Sequence, residues 1–257
     1  MKTYVSWSGG KDSTATVVLA HEHNLPIDLI IISLPFFDKN RKIYADHPLH
    51  IDFIFNKAIP TFESWGYKVK VVSSEKDYMY WFFKRRGNKC KNPKYNGKMY
   101  GWLLGKMCKM NGEKIKPIKD YIKKLDKDGW QSIVGIGIDE PQRLERLHGR
   151  HNQISLLEQY GYTTDMAREL CRQHGLLSPL YDRGGLRQGC FFCPNSPLRE
   201  FAKLAVDYPQ LWNELVELNK LYQKDKTQFV KQGFKYGMSF DKLMEQVELI
   251  NRQLKLL

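Results

Sequence analysis

Val5-Ser6-Trp7-Ser8-Gly9-Gly10-Lys11-Asp12-Ser13-Thr14-Ala15 is the stretch on which the reading of this chain turns. Thr3–Trp7 has the apolar, β-branched character of a strand, and Ser13–His23 reads as a helix. The two glycines therefore sit where a strand turns directly into a helix. Glycines at such a turn let backbone N–H groups point inward and approach a phosphate closely. The helix that follows contributes its unpaired N–H groups and the positive end of its dipole. Lys11 would add a mobile cation, and Ser8 and Ser13 hydroxyl donors. A turn that uses glycine for geometry alone is the competing reading. The order strand, motif, helix favours a phosphate site made of Ser8, Gly9, Gly10, Lys11, Asp12 and Ser13. The four-residue spacer of a Walker loop is missing.

Outward from this loop, short apolar runs alternate with longer amphipathic segments, as in βαβ units on a parallel sheet. Asp28–Leu34, Lys68–Ser73 and Ser132–Ile138 join Thr3–Trp7 as candidate strands, with the near-continuous apolar character of strands buried on both faces. Ile51–Trp65 repeats its apolar residues at helical spacing. Tyr78–Met110 has no clean period and reads as a long functional loop. Leu198–Val206, Pro209–Tyr222 and Phe240–Leu254 are expected to be helices. The expected organisation is an α/β nucleotide-binding domain over 1–196, with a basic insertion over about 78–127, followed by a helical segment over 197–257. There is no internal repeat and no low-complexity linker.

The chain has 257 residues, 42% hydrophobic and 13% aromatic, enough for a sizeable core. Its 41 Lys and Arg outnumber 28 Asp and Glu, giving +13. That charge is concentrated: between Lys84 and Lys127 stand 15 basic residues and three acids, a balance of +12. Trp81, Phe82, Phe83, Tyr95, Tyr100, Trp102 and Tyr121 are interleaved with them. Cations for phosphates plus rings for stacking is the composition of a nucleic-acid surface, which makes residues 84–127 the candidate docking region for tRNA or DNA. A solvated insertion is the blander alternative. The longest apolar stretch, Leu29–Phe37, is interrupted by Ser33 and Pro35 and is too short to cross a membrane. The first residues lack the apolar run of a signal peptide, so a cytoplasmic protein is expected.

Five cysteines is an odd number, and in a reducing compartment they read as thiols or metal ligands. Gly189-Cys190-Phe191-Phe192-Cys193-Pro194 is a C-x-x-C turn that can aim two thiolates at one metal or cluster. Cys108, Cys171 and Cys90 are the candidates for further ligands, and the spacing leaves zinc and iron–sulfur equally open. A redox pair is the competing reading. Cys171, in an apolar-periodic segment, also reads as a buried helix residue, and Cys90 between Lys89 and Lys91 as a reactive thiol. His50 could line the phosphate site or serve as a cap.

Four motifs in order now carry a family likeness: Ser8–Ser13; Cys108 with Lys114-Ile115-Lys116-Pro117-Ile118; Gly137-Ile138-Asp139-Glu140-Pro141 with Arg143; and His174–Tyr181 followed by Gly189–Pro194. The first resembles the PP-loop of ATP pyrophosphatases, which cleave between the α and β phosphates. Together, from Tyr4 to about Trp212, they resemble the phosphoadenosine phosphosulfate reductase-like family of adenine nucleotide α-hydrolases, in its bacterial and prophage form. The resemblance implies a Rossmann-like (HUP-type) parallel sheet with helices on both faces, and an adenine nucleotide, ATP with Mg²⁺, at Ser8–Ser13. It implies catalytic roles for Lys11, Asp12 and Arg143, with Arg146 a weaker candidate; an ion pair with Glu140 or Glu145 is the alternative for either arginine. It places a four-iron cluster on Cys108, Cys190 and Cys193, with Cys171 or Cys90 as fourth ligand and zinc as the alternative. The Glu-Cys-Gly-x-His signature of sulfonucleotide reductases is absent, since the last cysteine is Cys193. The expectation is therefore an ATP-cleaving, adenylating sulfur-transferase with a nucleic-acid acceptor and a sulfur-donor protein as partner. A sulfonucleotide reductase and a non-enzymatic, nucleotide-sensing nucleic-acid binder are the alternatives.

Overall fold

A computed structural model describes residues 2–88, 92–105, 108–125, 129–182, 189–231 and 233–254. In chain order its strands are β1 (Lys2–Trp7), β2 (Leu29–Ser33), β3 (Phe36–Asp38), β4 (Ile43–Tyr44), β5 (Val69–Val72), β6 (Trp130–Val134) and β7 (Gln153–Ser155). The chain separates into two compact units that do not follow a boundary at 196. The first comprises Met1–Pro35, Asp46–Ser74 and Gly112–Gln188; the second comprises Phe36–Ala45, Glu75–Asn111 and Gly189–Leu257.

The first unit is built on a parallel five-stranded sheet in the order β5-β2-β1-β6-β7, the expected α/β class. β2, Leu-Ile-Ile-Ile-Ser, is buried at every position, as a central strand covered on both faces must be. β1 lies between β2 (Val5 opposite Ile30) and β6 (Val5 opposite Ile133). The chain builds outward from β1 through β2 to β5, then crosses back to β6 and β7. The strand order thus reverses at β1 and β6, and ligands in open α/β sheets bind beyond the carboxyl ends of such a pair.

Three expected strands agree with the sheet to within a residue or two. The fourth runs Trp130–Val134 rather than to Ile138, because Gly135 leaves the sheet to meet the helix Lys11–Glu22. β7 has a single apolar residue, Ile154, and was not expected. The predicted helix Ile51–Trp65 is a longer element, Pro48–Ser64, with a π turn at Ile54–Ala58 just before Pro60. Proline has no N–H to continue the ladder, and a widened turn accommodates the loss. The helix Met110–Leu125, which the sequence reading left out, rests Ile118, Tyr121 and Ile122 against Leu29, Ile31 and Trp130.

In the second unit the helices Leu198–Asp207, Pro209–Lys224 and Phe240–Leu254 confirm the helical reading of the chain's last third. Its core is aromatic: the Trp102 and Phe240 rings stack with centroids 5.0 Å apart, and Phe234 meets Trp102 edge-on at 5.0 Å. The stretch expected to be a loop is anchored here. Tyr78–Phe83 is a helix capped by Asp77. Beyond it Arg86 N donates to Lys98 O, Tyr100 N to Lys84 O and Met99 N to Gln228 O, a hairpin tied to the C-terminal region. Trp102 and Phe82, two of the rings assigned to stacking, are fully buried in this core. Among the described residues no helix is long and apolar enough to cross a membrane.

Candidate nucleotide and thiol sites

The Ser8–Ser13 turn leaves the end of β1 and enters the helix Lys11–Glu22, with Gly10 at the N-cap. Glycine brings no side chain to cap the first helical turn, so backbone donors there are presented to whatever binds. The loop's own polar groups hold its shape. Ser8 N donates to Ser13 Oγ (3.1 Å), the Ser8 and Ser13 hydroxyls meet at 3.0 Å, and Ser13 Oγ donates to Gly10 O (3.1 Å). Two glycines are obligatory here. Gly9 has φ +77°, and a Cβ on it would fall 2.6 Å from His50 Nε2. A Cβ on Gly135 would fall 2.5 Å from the Asp12 carbonyl carbon, so the end of β6 closes against the start of the helix.

His50 lies under this turn and is almost completely buried. Its Nε2 is 3.4 Å from Ser8 O, and its Nδ1 is 3.0 Å from the hydroxyl of Ser178, also buried. A carbonyl can only accept, which assigns the proton to Nε2 and leaves Nδ1 to accept from Ser178. Burial lowers the imidazole pKa, opposed by Asp46 and the Ser8 carbonyl, so the ring is neutral. The sequence reading placed His50 near the site; its role as the floor beneath Gly9 has no signature in one sequence.

Lys11, expected to be mobile, is tethered: its Nζ is 2.6 Å from Asp12 Oδ1 and 2.9 Å from Thr164 O. Burial raises the Asp12 pKa, and the bond to Lys11 only partly offsets this. Arg143 takes up its ion-pair alternative. Its Nη1 donates to both Glu140 carboxylate oxygens at 2.5 and 2.7 Å, and the pair is close enough to act on the Asp12 carboxyl. Arg146 Nε donates to Gln142 O. Arg168 went unnoticed in the sequence. Its guanidinium lies 5.4 Å from the centre of the Tyr181 ring, and Tyr181 Oη accepts from Lys11 N at 3.3 Å. Arg168 Nε is buried without a hydrogen-bond partner among the described residues, a donor beside the loop.

The proposed metal ligands do not stay together. Cys171 is in the first unit, on the helix Thr164–Gln173, where its Sγ donates to Lys11 O at 3.2 Å. Burial pushes its pKa up to about 12, so it is a neutral thiol supporting the phosphate turn. Cys90 lies outside the described residues, as do Lys89 and Lys91. Cys108, Cys190 and Cys193 belong to the second unit. Phe191 and Phe192, between the last two, anchor the C-x-x-C turn against Phe37 and Tyr78, and Cys193 N donates to Cys190 O at 2.9 Å. The three thiols converge on Tyr78: burial is the main cause of its raised pKa, and all three cysteines add to it. Lys235, another residue without a sequence signature, donates its Nζ to Pro194 O and to Ser196 O, clamping the turn. None of the four described cysteines is in a disulfide. The chemistry of this donor set suits a thiophilic metal or iron–sulfur cluster. Its spacing does not, since among the described residues no three His, Cys, Asp or Glu side chains are close enough to hold a metal ion.

No family model matches the chain. Two uncharacterised proteins of Methanocaldococcus jannaschii are similar to it. One is 25% identical over 238 residues, covering 89% of this chain and 50% of that protein. The other is 25% identical over 219 residues, covering 82% of this chain and 40% of that protein. The chain thus spans half or less of these curated relatives. Among solved structures, the U34-tRNA thiolase NcsA from Methanococcus maripaludis with its 4Fe–4S cluster is similar at 17% identity, over 87% of this chain and 73% of that one, with a TM-score of 0.40.

Proposed function

We propose that the chain binds ATP at Ser8–Ser13 and cleaves it between the α and β phosphates, adenylating an acceptor for sulfur transfer. The observation that carries this is the uncapped helix start at Gly10, framed by Gly9 and Gly135 at the point where the strand order reverses. Backbone N–H groups and the helix dipole hold the β and γ phosphates there. An acceptor oxygen attacks the α phosphorus, the bond from that phosphorus to the αβ-bridging oxygen breaks, and pyrophosphate leaves with the electron pair. Lys11 and Arg168 set fixed positive charge where it accumulates. Mg²⁺ beside Asp12 would neutralise the leaving pyrophosphate, and the burial of that carboxylate gives it reason to take a cation.

The thiol site belongs to the second half of this reading. Cys108, Cys190 and Cys193 would hold an iron–sulfur cluster, or zinc in its place, and such a cluster supplies a site for activated sulfur. The fourth ligand is not Cys171, whose thiol is committed to Lys11 O. The acceptor is a nucleic acid, tRNA or DNA, drawn by the basic segment 84–127, and a sulfur-donor protein completes the set of partners. Product analysis tests the proposal. With ATP, Mg²⁺ and bulk tRNA or DNA, AMP and pyrophosphate should appear in equal amounts; ADP and phosphate would overturn it.

A further inference from the structure

The rings of the basic segment are placed to hold cations, and this changes what the surface can read. Lys76 Nζ lies 5.5 Å from the centres of both the Tyr80 and Trp81 rings, and Lys84 Nζ 5.0 and 5.2 Å from the same two. Trp81 meets Tyr100 edge-on at 6.1 Å. The Arg86 guanidinium is 5.1 Å from Tyr100 and 5.9 Å from Tyr95, Lys94 Nζ is 5.4 Å from Tyr95, and Lys109 Nζ is 6.0 Å from Tyr100. All these distances are within the reach of cation–π attraction. Each of these rings carries at least one cation, so a base could stack only by displacing a lysine or arginine. Phe82 and Trp102 are withdrawn into the core. The nearby acids are engaged: Asp77 accepts from Tyr80 N and Lys39 N, and Asp38 from Arg41.

We infer that this face of the second unit is a phosphate-tracking surface. It docks the sugar–phosphate backbone of a nucleic acid through Lys76, Lys84, Arg86, Lys94 and Lys109, with the aromatic residues as props that fix those charges and not as stacking platforms. The inference rests on the nucleic-acid part of the proposed function and adds Lys76, outside 84–127, to the docking set. Arg85 is not in that set, since it is spent on Gly97 O and the Gln228 side chain.

The test uses the full chain and three fluorescent probes: a mixed-sequence single-stranded oligonucleotide, an abasic oligonucleotide of equal length, and vesicles with anionic headgroups. Five phosphate contacts give a plot of log affinity against log salt a slope of about −3.5 for single strands. The abasic strand should bind within about threefold of the base-bearing one. Combining Lys76→Gln, Lys84→Gln, Arg86→Gln and Lys94→Gln should flatten the slope by about 3 to 4 units, with the circular dichroism spectrum checking the fold. Tyr80→Leu with Tyr95→Leu should weaken all sequences alike. Loss of tenfold or more with the abasic strand overturns the inference in favour of stacking, because each stacked base contributes about 1–3 kcal/mol. Binding to vesicles without binding to either strand, or binding to none of the three, also overturns it. ATP cleavage is read separately, so failure here leaves the nucleotide half of the function standing.

Discussion

Replacing Gly9 by alanine would introduce two separable costs at the centre of the phosphate loop. The first is conformational: φ is +77°, a region that costs an L-residue about 1–2 kcal/mol. The second is steric. The new Cβ would lie 2.6 Å from His50 Nε2, 2.7 Å from His50 Cε1 and 3.3 Å from Ile54 Cδ1. Overpacking of this kind costs about 1–3 kcal/mol. Together they destabilise the loop by about 2–5 kcal/mol, and ATP affinity should fall at least tenfold, since about 1.4 kcal/mol corresponds to a factor of ten. His50→Ala removes the overlap but strands the Ser8 carbonyl and the Ser178 hydroxyl, at about 1–3 kcal/mol. In the double variant the conformational cost stays and the overlap disappears. Urea unfolding of both single variants and the double should therefore show the pair less destabilised than the sum of the singles, by about 1–3 kcal/mol. Additivity within about 0.5 kcal/mol would refute the claim that the imidazole lies against Gly9.

Three further outcomes follow from the same geometry. Burial raises the Asp12 pKa, so the native state holds that proton more tightly than the unfolded chain, and the carboxyl's contribution to stability falls as pH rises from 3.8 through its native value. Asp12→Asn should therefore gain thermal stability relative to the unmodified protein as pH rises through that window; a widening loss would contradict the burial argument. Cys171, pushed up to about 12, should resist iodoacetamide at pH 8 while exposed Cys108 reacts, as peptide mass mapping will show; early modification of Cys171 would mean its bond to Lys11 O is absent. Arg168→Met should weaken ATP binding in calorimetry by about 5- to 150-fold, the range for losing a charge-assisted hydrogen bond of 1–3 kcal/mol, with Arg168→Lys intermediate. Equal affinity in all three proteins would remove Arg168 from the phosphate site.

Much of the sheet was legible because β1, β2, β5 and β6 are apolar runs whose burial leaves a local trace, and the Ser8–Ser13 loop was legible because glycines mark backbone geometry. β7 escaped because a three-residue strand with one apolar side chain has no period. The hairpin beyond Tyr78–Phe83 escaped because it is held by partners as distant as Gln228. At the site, the motif found the loop but not its supports. His50, Arg168, Tyr181 and Lys235 act through contacts between segments 40 or more residues apart, and nothing beside them in the chain announces those contacts. Arg143 and Cys171 show the opposite failure: residue type and order suggested chemistry, while the structure commits Arg143 to Glu140 and Cys171 to the Lys11 carbonyl.

The central claim is that Ser8–Ser13 holds ATP for cleavage between its α and β phosphates, and exchange of radiolabelled pyrophosphate into ATP tests it most directly. Adenylation is reversible while pyrophosphate is bound, so label should enter the β and γ positions of ATP in the presence of acceptor nucleic acid and Mg²⁺. The exchange should be lost in Gly9→Ala. Label entering ATP from inorganic phosphate in place of pyrophosphate, or no exchange by a protein that binds ATP, would contradict the account.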